Sequence, residues 1–150
     1  MIANRRLSIV ANADPALLVV VTGAVREFAR GAGFTDRDCQ RLEVATDEIC
    51  TNVVTHAYGH DLSRTYRVEV EIVGPCLEIR VFDRGEGFRV EEVPAPDPAQ
   101  GIEEVRIGGL GICLCRKMMD DVSSHRTAEG ENCVRLVKRL PVDVAASADG

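Results

Sequence analysis

Tyr66-Arg67-Val68-Glu69-Val70-Glu71-Ile72 and Leu77-Glu78-Ile79-Arg80-Val81, joined through Gly74-Pro75, set the architecture of this chain. In both segments apolar and charged residues alternate strictly. Successive side chains of a strand point to opposite faces, so this pattern is a strand with one face buried and the other wet. Two such strands across a Gly-Pro turn read as an antiparallel hairpin. A sheet with one apolar face needs a cover, and the flanking sequence provides it.

Upstream, Leu7-Ser8-Ile9-Val10 reads as a short strand. Asp14-Pro15 then opens a helix, with Asp14 as N-cap and Pro15 at the first helical position, where its missing N–H costs nothing. Leu17, Leu18, Val21, Val25 and Phe28 carry its apolar side, and the glycines at 31 and 33 end it. Thr35-x-x-Asp38 resembles a capping box and starts a second helix expected to run to about Tyr58, where Gly59 stops it. Its apolar stripe is Leu42, Ala45, Ile49 and Val53. Downstream, residues 89–106 hold Pro94, Pro96, Pro98 and four glutamates, and read as a mobile loop of a length that usually has a function. A third helix is expected over 109–119, then strands near 122–126 and 133–140 with a turn at Glu129-Gly130. The tail at 142–150 is expected to be disordered, leaving 1–141 as one domain. The result is an α+β two-layer sandwich, a mixed, mostly antiparallel sheet with helices on one face.

With 150 residues, 45% apolar and 28% charged, the composition is that of one ordinary globular domain. A net charge of −6 argues against a nucleic-acid partner. The longest apolar run, 16–21, is too short to span a membrane, and no signal-peptide pattern follows Met1, so a cytoplasmic protein is expected. The six cysteines form no C-x-x-C pair and join no histidine cluster, so buried, reduced thiols are expected.

Three short motifs carry chemistry. Glu48 and Asn52 lie four apart on one face of the second helix, rotated away from its apolar stripe and so expected at the rim of the core. A carboxamide beside a carboxylate suits a hydrated Mg²⁺: Asn supplies a neutral oxygen, and Glu orients or deprotonates a nucleophile. Asp83-Arg84-Gly85-Glu86-Gly87-Phe88 follows a strand. Its Asp can accept from an exocyclic amine, and its glycines let a flat ring approach the backbone. Gly108-Gly109-Leu110-Gly111 opens the third helix, whose free N–H groups suit phosphates, although it is neither a Walker A loop nor a Rossmann fingerprint. Taken singly, the three also read as a solvated helix edge, a plain turn and a glycine-rich helix start.

In this order the motifs resemble those of the GHKL (Bergerat-fold) ATPases. The run Asp47-Glu48-Ile49-Cys50-Thr51-Asn52-Val53-Val54-Thr55-His56-Ala57-Tyr58 is similar to the N-box of the bacterial anti-sigma-factor serine kinases. Gly109-Leu110-Gly111-Ile112 and Met118-Met119-Asp120-Asp121-Val122 are similar to that branch's second glycine box and helix end. The resemblance spans residues 35–140, with a similar strand and helix before it. It implies an ATP- and Mg²⁺-dependent serine protein kinase that sequesters a sigma factor and phosphorylates an anti-sigma-factor antagonist, as a homodimer. Glu48 would be the general base and Asn52 the Mg²⁺ ligand. Asp83 would bind the adenine amine, with Gly85 and Gly87 shaping its pocket. Gly109, Leu110 and Gly111 would hold phosphates, Thr55 and His56 would line the nucleotide side of the helix, and 89–108 would be the ATP lid.

The chain departs from the family at three places. Arg84 stands where an acid often follows the Asp. Glu131-Asn132-Cys133 replaces a frequent Gly-Thr, which leaves an adenine contact open. Ile107-Gly108 replaces a basic or small residue before the second glycine box. The competing reading is a nucleotide-gated binding module without significant kinase activity. The acids of the loop, Glu91, Glu92, Asp97, Glu103 and Glu104, read as a solvated face. His60 and His125 read as surface residues.

Overall fold

The computed structural model describes residues 4–87, 89–93 and 109–141; the tail at 142–150 and most of the proline-rich loop lie outside them. Strand β1 (Arg6–Asn12) leads to a 3₁₀ turn (Pro15–Leu17) and helix α1 (Leu18–Gly31). Helix α2 (Asp36–Asn52) follows, then β2 (Thr65–Val73) and β3 (Cys76–Asp83), helix α3 (Gly109–Met118), and strands β4 (Asp121–Arg126) and β5 (Asn132–Arg139). The sheet order is β1-β2-β3-β5-β4, and every pairing is antiparallel. The two-layer α+β architecture and the central hairpin are those expected, but the sheet of the described residues is wholly antiparallel and not mixed. No helix among the described residues is long and apolar enough to cross a membrane.

Local chemistry explains the boundaries. The Asp14 side chain accepts from the Ala16 N–H, and the Thr35 hydroxyl accepts from the Asp38 N–H, so both helical segments start on side-chain caps. One expectation needs correction. The second helix does not continue unchanged to Tyr58: α2 ends at Asn52 and widens into a π-helical turn, Val53–Ala57, closed by the Tyr58 N–H on the Val53 carbonyl. Such turns insert a residue and re-aim the side chains that follow, and they are frequent at functional sites.

Val21 and Val25 of α1, Leu42 and Ile49 of α2 and Ile112 of α3 pack with the inward row Val68, Val70, Leu77, Ile79 and Leu136 in one buried cluster. The outer face of the sheet is a lattice of ion pairs. Arg80 bridges Glu69, Glu71 and Glu78; Arg67 bonds Glu69 and Glu131 while its guanidinium lies 4.1 Å above the Phe82 ring; Arg135 bonds Glu78. This explains why Glu69 and Glu78 are only 9% and 7% exposed on the face read as wet. Glu78→Ala removes the carboxylate that two arginines share. It is expected to lower stability by about 2 kcal/mol, between the values for exposed and buried pairs, read as a fall in thermal midpoint.

The cysteines lie much as expected: five of the six are buried, and Cys76 is half-buried. Burial pushes the Cys115 thiol up to about 12 and Cys133 up to about 11, so neither forms a thiolate near neutral pH.

Candidate functional site

Register places the first site residue. Leu77, Ile79 and Val81 face the helices, and Asp83 continues that row to the rim of the sheet. There it is 7% exposed and bounds a cavity of about 410 Å³. The opposite wall comes from α2 and its π turn, through Ile49, Asn52, Val53 and Ala57. Gly87, Asn132 and Val134 complete the sheet side.

The loop after β3 is held against the π turn. The Gly85 N–H donates to Asp83 Oδ1 at 2.9 Å, and a Cβ added to Gly85 would fall 2.3 Å from the Ala57 carbonyl oxygen. Only glycine fits there. Tyr58 locks the same junction. Its hydroxyl accepts from the Arg84 N–H at 2.8 Å and donates to the Thr65 carbonyl at 2.8 Å, and Arg64 covers its ring. Arg84, the first departure from the family pattern, turns its side chain to the Glu129 carbonyl, away from the cavity.

Asn52 departs from expectation. It is not at the rim but buried, 5% exposed, and its Nδ2 has no hydrogen-bond partner among the described residues. A buried carboxamide left partly unpaired is costly unless something beyond the protein chain completes its surroundings. Among the described residues no three His, Cys, Asp or Glu side chains gather as a metal site. A divalent ion beside Asn52 would therefore be shared with phosphate oxygens, the usual arrangement for Mg²⁺, and a carboxamide oxygen is a suitable hard donor. The unpaired Nδ2 is a donor that suits a phosphate oxygen, and the oxygen of the same amide suits the ion.

Glu48, one turn earlier, is half-buried. Burial, and then the charge of Asp47, raises its carboxyl above the usual 4.5. Its carboxylate lies against the first turn of α3, where a Cβ on Gly111 would sit 2.6 Å from Glu48 Oε2. Gly109, Leu110 and Gly111 thus begin α3 beside Glu48, with Leu110 itself 58% exposed.

Asn52, Asp83 and Gly87 therefore meet at one cavity, with Gly85 behind Asp83, and Glu48 meets Gly111 beside it. Thr55 and His56 do not line that cavity: Thr55 donates its hydroxyl to the Thr51 carbonyl, and His56 is exposed. His125 is exposed, as expected, yet it borders the cavity. Glu91 is not simply solvated. The Ser124 N–H and hydroxyl both donate to its carboxylate, at 2.9 and 2.7 Å. Burial alone would raise its pKa, but these bonds hold it below the usual value. Arg116 of α3 donates to the Val90 and Val93 carbonyls, so 89–93, the start of the expected lid, is tied to both β4 and α3. Sequence reasoning missed Tyr58 as a clasp and Glu91 as a latch, because only the fold brings their partners near.

The chain is similar to several known proteins. The sequence matches the histidine kinase-like ATPase domain over residues 11–138. It is 32% identical over 114 residues to the serine-protein kinase RsbW of Oceanobacillus iheyensis, covering 73% of this chain and 72% of that protein. Against the serine-protein kinase RsbW of Listeria monocytogenes it is 36% identical over 102 residues, 65% of each chain. A solved structure, the SiaB–SiaC complex from Pseudomonas aeruginosa, superposes with a TM-score of 0.65 at 12% identity, over 87% of this chain and 88% of that one. The RsbU and RsbW domains of Rv1364c from Mycobacterium tuberculosis superpose at 0.64 with 20% identity, over 91% of this chain and 32% of that one. Those two share the fold. The chain belongs to the histidine kinase-like (GHKL) ATPase domain family, in its serine-protein kinase RsbW branch.

Proposed function

We propose that this protein uses ATP to phosphorylate a serine of an anti-sigma-factor antagonist and sequesters a sigma factor in a partner-switching pathway. The observation that carries the reading is the meeting of buried Asp83 and buried Asn52 across one cavity, with Glu48 beside it on the same helix as Asn52. Asp83 would accept from the adenine amine, on a floor held by Gly85 and Gly87. Asn52 would hold Mg²⁺, which neutralises phosphate charge when bound. The free N–H groups at the start of α3, over Gly109, Leu110 and Gly111, would orient the phosphates. Glu48 would accept the proton of the attacking serine hydroxyl; its half-burial keeps it a stronger base than an exposed glutamate. Thr55 and His56 stay outside this assignment.

The relatives' name, serine-protein kinase, supports the reaction class. Residues 1–141 would be the whole working domain, acting in the cytoplasm as a homodimer. Exposed Val10 on the edge strand β1, and exposed Val19 and Val20 on α1, provide apolar surface that favours self-association. Incubation with labelled ATP and a candidate antagonist tests the reading. Label on a serine of the antagonist supports it; ATP binding with no transfer to any antagonist favours a nucleotide-gated binding module.

A further inference from the structure

Asn132 opens β5 directly opposite Asp83 in the register of β3 and β5, so both side chains reach the same side of the sheet. Its Nδ2 donates to Asp83 Oδ1 at 3.0 Å and to the Gly85 carbonyl at 2.9 Å. These partners fix the amide orientation, because a half-turn would set its oxygen against a carboxylate oxygen and a carbonyl oxygen. Both amide hydrogens are thus used, as is the Gly85 N–H, which donates to the same Asp83 Oδ1 at 2.9 Å. Two acceptors remain on these side chains, Asp83 Oδ2 and Asn132 Oδ1, and neither takes a hydrogen bond from the described residues. Both residues line the cavity. Gly87 approaches closely enough that an added Cβ would lie 2.4 Å from Asn132 Oδ1, so no side chain covers this corner from that position.

We infer that Asn132 makes this corner of the cavity select a purine with an amino group, rather than an oxo group, at position 6. The inference rests on the nucleotide reading and deepens it with a residue in the stretch where Glu131-Asn132-Cys133 departs from the family pattern. Asn132 is a positioning and specificity-determining residue. Its amide holds the Asp83 carboxylate in one orientation with Oδ2 left to accept, and its own oxygen adds a second acceptor. An exocyclic amine brings two N–H donors to that pair. A 6-oxo purine brings a carbonyl oxygen against a carboxylate, and a site built to accept rejects a ligand that cannot donate.

Calorimetric titration of the full chain, Asn132→Ala and Asn132→Ser with Mg-ATP and Mg-ITP tests this, since the two nucleotides differ in the base at position 6. The full chain should prefer ATP, and Asn132→Ala should reduce that preference by roughly tenfold through weaker ATP binding. Asn132→Ser, which restores one donor to Asp83, should recover part of it. A merely structural role would weaken both nucleotides alike and leave their ratio unchanged. If the alanine variant does not fold, the serine variant carries the same comparison. An unchanged ratio in a folded variant that still binds ATP, or equal binding of ATP and ITP by the full chain, overturns the inference and leaves the nucleotide reading standing. Failure of the full chain to bind either nucleotide overturns both.

Discussion

Glu48→Gln should lower serine phosphorylation by roughly 10²–10⁴-fold while leaving ATP binding intact, the range expected when a positioned general base is removed. Glutamine keeps the shape that Gly111 packs against, so the start of α3 should not move. It cannot take a proton. Two further readouts separate this role from a structural one. Burial, followed by the charge of Asp47, raises the Glu48 pKa above 4.5, so the acidic limb of the wild-type rate profile should lie above that of an ordinary glutamate and vanish in the variant. The sign for stability is opposite to that of a helpful ion pair. A carboxyl whose folded pKa is raised favours folding once protonated, at low pH, and costs stability as pH rises through the folded value. Glu48→Gln should therefore raise the thermal midpoint at neutral pH while abolishing transfer. Thermal melts and a labelled-phosphate assay on the same preparation decide it; a variant that transfers phosphate at the wild-type rate would remove Glu48 from the chemistry.

Gly85→Ala should have the largest structural consequence. The new methyl would lie 2.3 Å from the Ala57 carbonyl oxygen and 2.8 Å from the Ala57 Cβ, contacts that backbone at both ends makes hard to relieve. Either the loop after β3 or the π turn must shift, at a cost of about 3 kcal/mol by the measure of overpacked sites. The shift would break the Gly85 N–H bond to Asp83 and move the loop that Asn132 and Tyr58 hold. Nucleotide binding should be lost together with stability. A variant that melts like the wild type and binds ATP would show that the junction has slack that its close approach does not suggest.

Much of this was legible in the sequence because it depends on local period and local capping. The alternation of Tyr66, Val68, Val70 and Ile72 is a property of one strand, and the Asp14 and Thr35 caps act within three residues. The place of Asp83 at the end of β3 was legible too, since it follows an alternating strand and precedes glycines. The rest required partners distant in sequence. The close approach of the π turn to Gly85, twenty-eight positions after Ala57, is invisible locally. A helical wheel of α2 alone placed Asn52 at the rim because it leaves out the sheet end and the loop after β3 that enclose the cavity with it. Glu91 looked like one more solvated acid until the fold brought Ser124 to it. Alternating charges on β2 and β3 promised a wet face, but the cross-strand register sets Arg80 among three glutamates and closes that face with ion pairs. Asn132 was visible only as a departure; its register opposite Asp83 gave it a role.

The central claim is that the cavity between Asp83 and Asn52 is a nucleotide site. Calorimetric titration of the purified chain with Mg-ATP, beside Asp83→Asn, tests it most directly. Asparagine keeps the size of the side chain but places a neutral amide where the ligand amine meets a carboxylate. Saturable binding by the wild type that the substitution weakens by roughly tenfold or more, the value of a hydrogen bond to a charged group, is the expected result. Equal binding by both proteins, or none by the wild type, would contradict it.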